Sequence, residues 1–456
     1  MQVSQFFNEK LLNKYNTAGP RYTSYPTALE FHDQFTQPDL IQAIEQSPNR
    51  ELSLYIHIPF CHSLCYYCGC NKVITRHRSK ADTYLEYLAK EISSRAPLFK
   101  NYTVKQLHWG GGTPSFLTHE QMTTLVSLLK DKFNFADKVE MSIEIDPREI
   151  ELNLAEHLYS LGFNRLSIGV QDIDEKVQQT INRVQSTEFI EQFIAHAKAV
   201  GFKSINIDLI YGLPHQTIET FTRTLDKAKE MDVDRISLFS YAHIPSRFAA
   251  QRKLRDEWLP SVTEKFALMR LAIEKLCAYG YEFIGMDHFA KPDDELSIAQ
   301  KEGKLHRNFQ GYTTKGSCDL LGLGVSSISD IGNVYSQNVK DLKTYYHEIE
   351  TKEHALEKGV SLTQDDIIRG EVIRELMCNL FLDKNAISQK YNINFNDYFK
   401  NDLPMLTPFI EDGLVANNKS SIRIAPQARL LVRNICMSFD IYMKKHINQQ
   451  RFSRVI

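Results

Sequence analysis

Apolar and polar positions follow two patterns that take turns along the chain between residues 50 and 290. Segments in which apolar residues alternate with polar ones predict strands. They are Leu52–Pro59, Val104–Trp109, Val139–Ile145, Arg165–Val170, Ser204–Ile210, Arg235–Tyr241 and a candidate seventh at Glu282–Met286. Segments with apolar residues at helical spacing lie between them and predict helices. They are Ala81–Ala96, Glu120–Phe133, Leu152–Leu161, Phe189–Val200, Ile218–Met231 and Val262–Ala278.

The regular alternation of strand and helix indicates the fold class. Each pair occupies about 30–35 residues, which is typical of βαβ units and therefore of a parallel sheet with right-handed crossovers. Six or seven such units are fewer than the eight of a closed barrel. The sequence therefore predicts an α/β fold with a partial barrel, and an open doubly wound sheet is the alternative.

The two ends of the chain depart from this pattern. Residues 1–50 show no strand–helix rhythm, and the proline-punctuated segment 19–26 predicts an extended arm. After about residue 365 the pattern predicts a mostly helical region with a small hairpin. Its predicted elements are helices over Ile367–Leu382, Ala386–Tyr391 and Gln427–His446 and strands over Leu414–Ala416 and Ile422–Ile424. The predicted domains are thus an arm and lead-in (1–50), a catalytic partial barrel (51–365) and a mostly helical C-terminal domain (366–456).

Composition narrows the class of protein. Hydrophobic residues make up 43% and charged residues 24% of the chain, as in ordinary globular proteins. The net charge of −2 and the lack of a basic stripe argue against a nucleic-acid partner. No apolar stretch approaches the roughly 18–20 residues of a membrane span, and the N-terminal segment has no apolar core of signal-peptide length. We therefore expect a cytoplasmic protein.

The eight cysteines are unevenly distributed. Four lie within ten residues, at Cys61, Cys65, Cys68 and Cys70. In a long cytosolic chain such a cluster indicates metal binding or catalysis rather than disulfides. The scattered four are expected to be small core residues. They are Cys277, Cys318, Cys378 and Cys436.

The spacing within the cluster predicts an iron–sulfur site. Cys61, Cys65 and Cys68 have the pattern C-x3-C-x2-C directly after the first predicted strand. Three thiolates this close can converge on one four-iron cluster, and one iron stays open if Cys70 is not a ligand. A structural zinc site and a closed four-cysteine cluster are the alternatives. The position after a barrel strand favours catalysis, because barrel chemistry lies at the C-terminal ends of strands.

The cysteine pattern resembles that of the radical S-adenosylmethionine (SAM) superfamily, and further motifs narrow the resemblance. Together they are similar to the family of oxygen-independent coproporphyrinogen III oxidases over nearly the whole chain. The motifs are residues 21–26 (RYTSYP), 55–60 (YIHIPF), 65–72 (CYYCGCNK), 109–114 (WGGGTP), 144–147 (EIDP), 169–172 (GVQD) and 208–214 (DLIYGLP).

This resemblance implies an activity and its cofactors. Cys61, Cys65 and Cys68 would hold a [4Fe–4S] cluster whose fourth iron binds SAM, and a 5′-deoxyadenosyl radical would abstract hydrogen. The implied fold is a partial (β/α)6 radical SAM barrel. The implied reaction, in haem biosynthesis, converts two propionates of coproporphyrinogen III to vinyl groups and gives protoporphyrinogen IX. Two SAM molecules are consumed, and we expect a monomer served by an unidentified electron donor.

The resemblance also implies site residues. Glu144 and Arg183 are predicted catalytic residues, with Glu144 holding the ribose hydroxyls or ammonium of SAM and Arg183 its carboxylate. Arg21 and Tyr22 on the arm are predicted to hold a substrate propionate, with a surface tether as the alternative. The full predicted SAM-binding set is Tyr55, Tyr67, Gly111, Gly112, Thr113, Glu144, Gln171, Arg183, Asp208, Ala242 and Ile328. The family often has phenylalanine where Tyr67 stands, so the contact of that residue is open.

Three other functions compete. The main rival is a related haem chaperone, and relatives of that kind usually lack the fourth cysteine and the following Asn-Lys. This chain keeps Cys70, Asn71 and Lys72, which favours the oxidase. The others are a haem-degrading methyltransferase of the same superfamily and an electron carrier without catalysis. An electron carrier would leave Gly111, Glu144 and Asp208 without a role.

Overall fold

The computed structural model describes residues 8–446, and they divide into two compact units. The first takes the described residues of Met1–Glu30, Met269–Gly316 and Leu362–Ile456. The second consists of Phe31–Leu268 and Ser317–Ser361 and contains every predicted residue of the cysteine and SAM site. The division into arm, barrel and C-terminal domain stays a prediction. No helix among the described residues is both long and apolar enough to cross a bilayer.

The second unit is built on one large sheet. Its strands, in chain order, are β1 (Glu51–Ile58), β2 (Thr103–Gly111), β3 (Phe135–Ile145), β4 (Arg165–Gln171), β5 (Ser204–Tyr211), β6 (Arg235–Ser240), β7 (Asp319–Leu323), β8 (Ile328–Ile331), β9 (Val334–Asn338) and β10 (Leu356–Ser361). Their spatial order is β10-β9-β8-β7-β1-β2-β3-β4-β5-β6. Strands β1 to β6 are parallel and consecutive, which confirms the six predicted units.

The strand order identifies the architecture. A doubly wound sheet reverses its order at a switch point, whereas β1 to β6 follow one another in a single direction, as in a barrel. The barrel is open, because β7 adds in parallel to the other edge of β1, and β8, β9 and β10 continue antiparallel from it. The partial barrel predicted from the sequence is therefore confirmed.

Helices connect the parallel strands. Those of the second unit are Gln37–Gln46, Ser79–Arg95, His119–Lys132, Leu154–Leu161, Glu175–Thr180, Thr187–Val200, Ile218–Glu230 and Leu342–Lys352, while Val262–Ala278 crosses the boundary between the units. Local sequence sets their ends. Thr118 and Gln121 form a reciprocal capping box at the start of His119–Lys132, and Leu154–Leu161 ends at Gly162, whose φ is +104°. The core between helices and sheet includes Trp109, whose ring meets Phe163 edge-on at 5.1 Å.

The first unit is mostly helical with short strand pairs. Its helices are Glu9–Tyr15, Glu295–Lys301, Gln364–Asn379, Lys384–Tyr391, Phe395–Tyr398, Thr407–Glu411, Val432–Cys436 and Met443–His446. The predicted hairpin is confirmed as Val415–Asn417 with Ser421–Ile424, and Phe381–Asp383 adds a third strand. A second hairpin joins His306–Asn308 to Gly311–Thr313.

Three expectations about elements need correction. The candidate seventh strand is confirmed as a strand, Glu282–Gly285, but it pairs antiparallel with His288–Ala290 and so does not continue the parallel series. The lead-in contains the helix Gln37–Gln46, which begins after Thr36 with a capping box. The predicted helix Gln427–His446 is broken, because Asp440 is extended and its carboxylate accepts hydrogen bonds from the Tyr442 N–H and the Tyr22 hydroxyl.

Candidate active site

The cysteine cluster lies in a loop at the C-terminal end of β1. After Ile58 the chain forms a two-residue strand, Phe60–Cys61, which pairs with Val73–Ile74. The Val73 N–H donates to the Pro59 carbonyl at 2.7 Å and closes the loop. Both ends of the loop therefore lie beside the C-terminal end of β1. The loop holds the four clustered cysteines at the C-terminal edge of the parallel strands, where the active sites of barrel enzymes lie.

Each of the three spaced sulfurs accepts a hydrogen bond. The Thr113 hydroxyl donates to Cys61 Sγ at 3.4 Å, and the Cys70 N–H donates to Cys68 Sγ at 3.4 Å. Two guanidinium groups donate to Cys65 Sγ, Arg148 Nη2 at 3.4 Å and Arg183 Nη1 at 3.5 Å. Donors of this kind stabilise thiolates, the form in which cysteine binds iron.

The three thiols differ in their own environment. Burial raises the pKa of Cys61 to about 11. The hydrogen bond with Cys70 lowers the pKa of Cys68 to about 6, with further help from Lys72. All eight cysteines lie within the described residues and all are free thiols.

A buried ion network joins Cys65 to β3. Asp146, directly after β3, accepts from Arg148 Nη2 at 2.6 Å and from Arg183 Nη1 at 3.1 Å. Burial acts to raise the pKa of Asp146, but Arg183 and Arg148 hold it at about 2. Arg183 also donates to the Gly169 carbonyl at 2.7 Å. The sequence pointed to Arg183 but not to Asp146 or Arg148. Asp146 lies within the EIDP motif just after a predicted strand, and Arg148 directly follows that motif.

The glycine step at the end of β2 is packed against β1. The Gly112 N–H donates to the Ile58 carbonyl at 2.8 Å, and a Cβ on Gly112 would lie 2.5 Å from the Pro59 carbonyl oxygen. Gly111 has a φ of +117°, and a Cβ there would lie 2.6 Å from the His57 ring. These glycines are therefore required by the approach of β1 itself, in addition to any approach of a ligand.

Glu144 lies beside this step on β3. Its Oε2 accepts from the Gly111 N–H at 3.2 Å, and its Oε1 lies 3.5 Å from His108 Nε2. The side chain is 44% exposed, so the carboxylate keeps lone pairs for a ligand. Tyr55 stacks on His108 at 5.9 Å, and its hydroxyl contacts His57 Nδ1 at 3.0 Å. Tyr55 and Glu144 thus share one aromatic neighbour.

Two further predicted residues lie on the next strands, Gln171 at the end of β4 and Asp208 within β5. Gln171 has a left-handed backbone with φ of +64°, and its Oε1 is buried without a partner in the described chain. Such a strained position outside glycine is typical of functional sites. Asp208 on β5 accepts from the Asn206 amide at 2.9 Å. Burial, assisted by Glu144, raises the pKa of Asp208 to about 6.

Gln251 joins the cysteine loop to the segment after β6. Its amide donates to the Tyr67 carbonyl at 3.0 Å and to the Ala242 carbonyl at 3.1 Å. Its Oε1 accepts from the Ile244 N–H at 2.6 Å, and the side chain is buried. The structure thus brings Tyr67 and Ala242 together through a residue that the sequence analysis missed.

The remaining predicted residues fall in two places. Ile328 begins β8, and its backbone lies against Gly322, the residue that pairs with Tyr55 on β1. Arg21 and Tyr22 belong to the other unit. There Arg21 forms an ion pair with Asp287, and the Tyr22 hydroxyl donates to Asp440 at 3.0 Å.

The residues beside the cysteine loop fit a zwitterionic ligand. Buried polar atoms without partners include an acceptor, Gln171 Oε1, and a donor, Arg183 Nε. A ligand that carries both a carboxylate and hydroxyl or ammonium donors would satisfy both atoms.

Comparison with known proteins agrees with this chemistry. Family models of the Radical SAM superfamily and of the HemN C-terminal domain match residues 55–228 and 362–431. The oxygen-independent coproporphyrinogen III oxidase of Salmonella typhimurium is 54% identical over 446 residues, 98% of each chain, and that of Pseudomonas aeruginosa is 46% identical over 452 residues, also 98% of each. The solved structure of coproporphyrinogen III oxidase (HemN) from Escherichia coli, a radical SAM enzyme, has a TM-score of 0.93 and 53% identity. It covers 96% of this chain and 100% of that one.

Proposed function

Because the chain belongs to the oxygen-independent coproporphyrinogen III oxidase family of the radical SAM superfamily, we infer that it is an enzyme of haem biosynthesis. It decarboxylates two propionates of coproporphyrinogen III to vinyl groups and gives protoporphyrinogen IX. The observation that carries this is 54% identity, over 98% of both chains, with an enzyme of that name. Each propionate loses a hydrogen atom, an electron and carbon dioxide, so the reaction needs an electron acceptor.

The chain binds a [4Fe–4S] cluster and SAM. When bound, they supply a 5′-deoxyadenosyl radical that abstracts hydrogen. Cys61, Cys65 and Cys68 are the proposed ligands, because each sulfur accepts a hydrogen bond and all three lie in one closed loop. Cys70 is exposed and contributes its N–H to Cys68, which suits a neighbour of the cluster rather than a fourth ligand.

The proposed SAM site lies along the C-terminal ends of β1 to β6. Glu144 accepts from hydroxyls or the ammonium, and Arg183 provides an unpartnered Nε toward the carboxylate. The two act as the proposed catalytic residues because they orient SAM. Gln171 and Asp208 offer acceptors from the neighbouring strands. Further contacts come from the remaining predicted residues, Tyr55, Tyr67, Gly111, Gly112, Thr113, Ala242 and Ile328.

The substrate role of the arm stays a prediction. Arg21 is 42% exposed but forms an ion pair with Asp287, and Tyr22 is buried against Asp440. A propionate clamp would require Arg21 to exchange one carboxylate for another. An Arg21→Ala enzyme with unchanged substrate affinity would remove the arm from the site.

The haem chaperone is not favoured. The relatives that match over the full length carry the oxidase name, and residues 70–72 keep the Cys-Asn-Lys of that family. Lys72 reaches back into the cysteine loop, where its Nζ donates to the Cys68 carbonyl at 3.1 Å. We place the enzyme in the cytoplasm, where its free thiols would stay reduced. A monomeric state and a separate electron donor stay predictions.

The test is an anaerobic assay with a matched pair of cysteine variants. The reconstituted protein is incubated with dithionite, SAM and coproporphyrinogen III, and products are followed by mass spectrometry. We expect the loss of two carboxyl groups with about one 5′-deoxyadenosine for each, in line with one radical per hydrogen abstracted. Cys65→Ser should abolish cluster and product, while Cys277→Ser, outside the loop, should keep both. If 5′-deoxyadenosine forms but the tetrapyrrole is unchanged, coproporphyrinogen III is not the substrate. If neither product forms and the protein binds haem tightly, the haem chaperone becomes the better hypothesis.

A further inference from the structure

His108 on β2 contacts two residues of the predicted SAM site but is not itself a member of that set. Its Nε2 lies 3.5 Å from Glu144 Oε1, and its ring stacks on Tyr55 with 5.9 Å between the ring centres. Along the sheet His108 pairs in register with Tyr55 of β1 on one side and with Ser142 of β3 on the other. All four residues belong to the second unit, so this cluster lies within one compact body.

The face of the sheet that bears His108 is polar, whereas the strands of parallel sheets are usually apolar on both faces. Along β2 His108 alternates with Leu107 and Trp109, which are both fully buried. Along β3 the partly exposed Ser142 and Glu144 alternate with buried residues in the same way. Side chains two positions apart on a strand share a face, so these polar residues face one another across neighbouring strands. Polar groups at such positions need partners.

Ser142 determines which nitrogen of His108 carries the proton. Its Oγ lies 2.6 Å from His108 Nδ1, and a neutral imidazole has one nitrogen that donates and one that accepts. If Nδ1 donated to the serine, Nε2 would present a lone pair to the Glu144 carboxylate, and two acceptors would repel each other. The arrangement in which the serine hydroxyl donates to Nδ1 instead places the Nε2 proton toward Glu144. Ser142, His108 and Glu144 thus form a chain of contacts with one direction.

Glu144 has a flexible side chain that the protein holds at both carboxylate oxygens. Oε2 accepts from the Gly111 N–H at 3.2 Å, and Oε1 lies beside His108. A Cβ on Gly110 would lie 3.0 Å from Oε1, so the carboxylate also lies against the backbone of β2. A carboxylate that is oriented before its ligand arrives loses less conformational entropy on binding. The contacts of Glu144 therefore prepare it to accept from a ligand.

We propose that His108 is a positioning residue for SAM: it orients Glu144, while Ser142 and the stacked Tyr55 hold its own ring in place. The inference rests on the proposed function, because it takes Glu144 as a contact of the SAM hydroxyls or ammonium. His108 acts through Glu144, as the supporting residues of a binding site do. Its loss should therefore weaken SAM binding and leave the iron content of the cysteine loop unchanged.

The test replaces the two ring nitrogens one at a time. In His108→Gln the amide nitrogen takes roughly the place of Nε2, so a donor toward Glu144 is kept. In His108→Asn it takes roughly the place of Nδ1, so only the contact with Ser142 is kept. SAM affinity of the reconstituted holoenzyme is measured by anaerobic calorimetry without tetrapyrrole. We expect Kd for SAM to rise about tenfold in His108→Asn, the usual effect of a lost contact with a charged group, and to stay within about threefold of wild type in His108→Gln.

A double-mutant cycle separates positioning from a role in the fold. In a Glu144→Gln background the carboxylate is gone, so adding His108→Asn should reduce SAM affinity little further. A purely structural role would reduce the affinity by the same factor in both backgrounds, and it would lower the free energy of unfolding of His108→Gln and His108→Asn alike. Equal losses in the two backgrounds, or a His108→Asn enzyme with the SAM affinity of wild type, would overturn the proposal.

His196 provides a matched control outside the site. Its Nε2 lies 2.6 Å from Glu156 Oε1, between the helices Thr187–Val200 and Leu154–Leu161, so it makes the same kind of contact away from the strand ends. His196→Asn should leave SAM affinity unchanged, and a loss as large as that of His108→Asn would remove the case for a specific role of His108. A wild-type holoenzyme that binds SAM but does not convert coproporphyrinogen III would refute the proposed substrate and leave the role of His108 intact.

Discussion

Arg148 Nη2 lies 3.4 Å from the Sγ of Cys65, one of the three proposed cluster ligands. The same guanidinium is paired with Asp146 at 2.6 Å, so the loop, β3 and the ion network form one electrostatic unit. A positive charge beside a ligand sulfur favours the reduced cluster, which carries one more electron. We therefore expect Arg148 to tune the potential of the cluster that Cys65 would hold.

The first prediction concerns the potential of the cluster. Arg148→Gln removes this charge and should make the midpoint potential more negative by about 60 mV for each 1.4 kcal/mol of lost interaction. Arg148→Lys should restore part of the shift. An EPR-monitored redox titration without SAM measures it, and iron content should match wild type. The control is Arg76→Gln, which removes an exposed cation shortly after the cysteine loop. An unchanged potential in Arg148→Gln would exclude the tuning role.

The second prediction concerns the link between two loops. Gln251→Ala removes the amide that donates to both the Tyr67 and Ala242 carbonyls and leaves those two acceptors unsatisfied. We expect the free energy of unfolding to fall by about 1–3 kcal/mol and KM for SAM to rise about tenfold, with iron content retained. Gln251→Glu keeps the shape of the side chain but places a carboxylate oxygen, an acceptor, against the two carbonyls. It should therefore lower the free energy of unfolding more than Gln251→Ala does. Denaturant unfolding measures the free energy of unfolding, and initial rates give KM for SAM. A Gln251→Glu variant more stable than Gln251→Ala would contradict the bridging role.

Residues such as Arg148 and Gln251 show why the sequence revealed only part of the site. The three cysteines could be predicted because their spacing along the chain by itself indicates a cluster site. Gln251 contacts Tyr67 across 184 positions of sequence and lies in a short 3-10 helix, Ala249–Lys253, which is too short to show a periodic pattern. Arg148 directly follows the motif of residues 144–147, but its contact is with a sulfur 83 positions away in the sequence. Contacts between distant positions have no signature in one sequence.

In the fold, too, local patterns could be predicted from the sequence and pairings between distant segments could not. Strands β1 to β6 were predicted because each alternates or is followed by a periodic helix. Strand β7 is buried at all five positions, and after Asp319 its sequence shows no alternation of apolar and polar residues, so periodicity does not identify it as a strand. The compact unit that contains Met269–Gly316 also contains residues near both ends of the chain, and no local sequence pattern indicates such a grouping.

The third prediction concerns pH. Burial raises the pKa of Asp208 to about 6, so the carboxyl is partly protonated below that pH in the free enzyme. Only the ionised form is a full acceptor for SAM hydroxyls or ammonium, so affinity should rise from pH 5 to pH 7 and then level off. Binding in that range should release protons. Asp208→Asn should abolish the dependence, with affinity lower at pH 7.5 and nearly equal at pH 5.

Calorimetry in buffers of different ionisation enthalpy measures the proton release. Asp172 has a similarly raised pKa of about 6, but its carboxylate is enclosed by Gln216 and Thr224. A folded-state pKa above the unfolded value of 3.8 lowers the free energy of unfolding as pH rises between about 4 and 6. The titration of Asp172 should therefore change stability and leave SAM affinity alone. A pH dependence of affinity that survives in Asp208→Asn would place the titrating group elsewhere.

The fourth prediction tests whether the glycine step serves the fold as well as the ligand. A Cβ at Gly112 would lie 2.5 Å from the Pro59 carbonyl oxygen and 2.9 Å from that of Phe60, and both are backbone atoms that cannot rotate away. Gly112→Ala should therefore push the segment that leads into Cys61 and lower the free energy of unfolding by about 2–4 kcal/mol. Iron content after reconstitution should fall with it. Gly370→Ala is the matched control, because its Cβ would meet nothing closer than 3.6 Å and helix propensity favours alanine there. If Gly112→Ala were as stable and as rich in iron as Gly370→Ala, the close approach of β1 and β2 would not be what requires glycine, and ligand contact would remain as the reason.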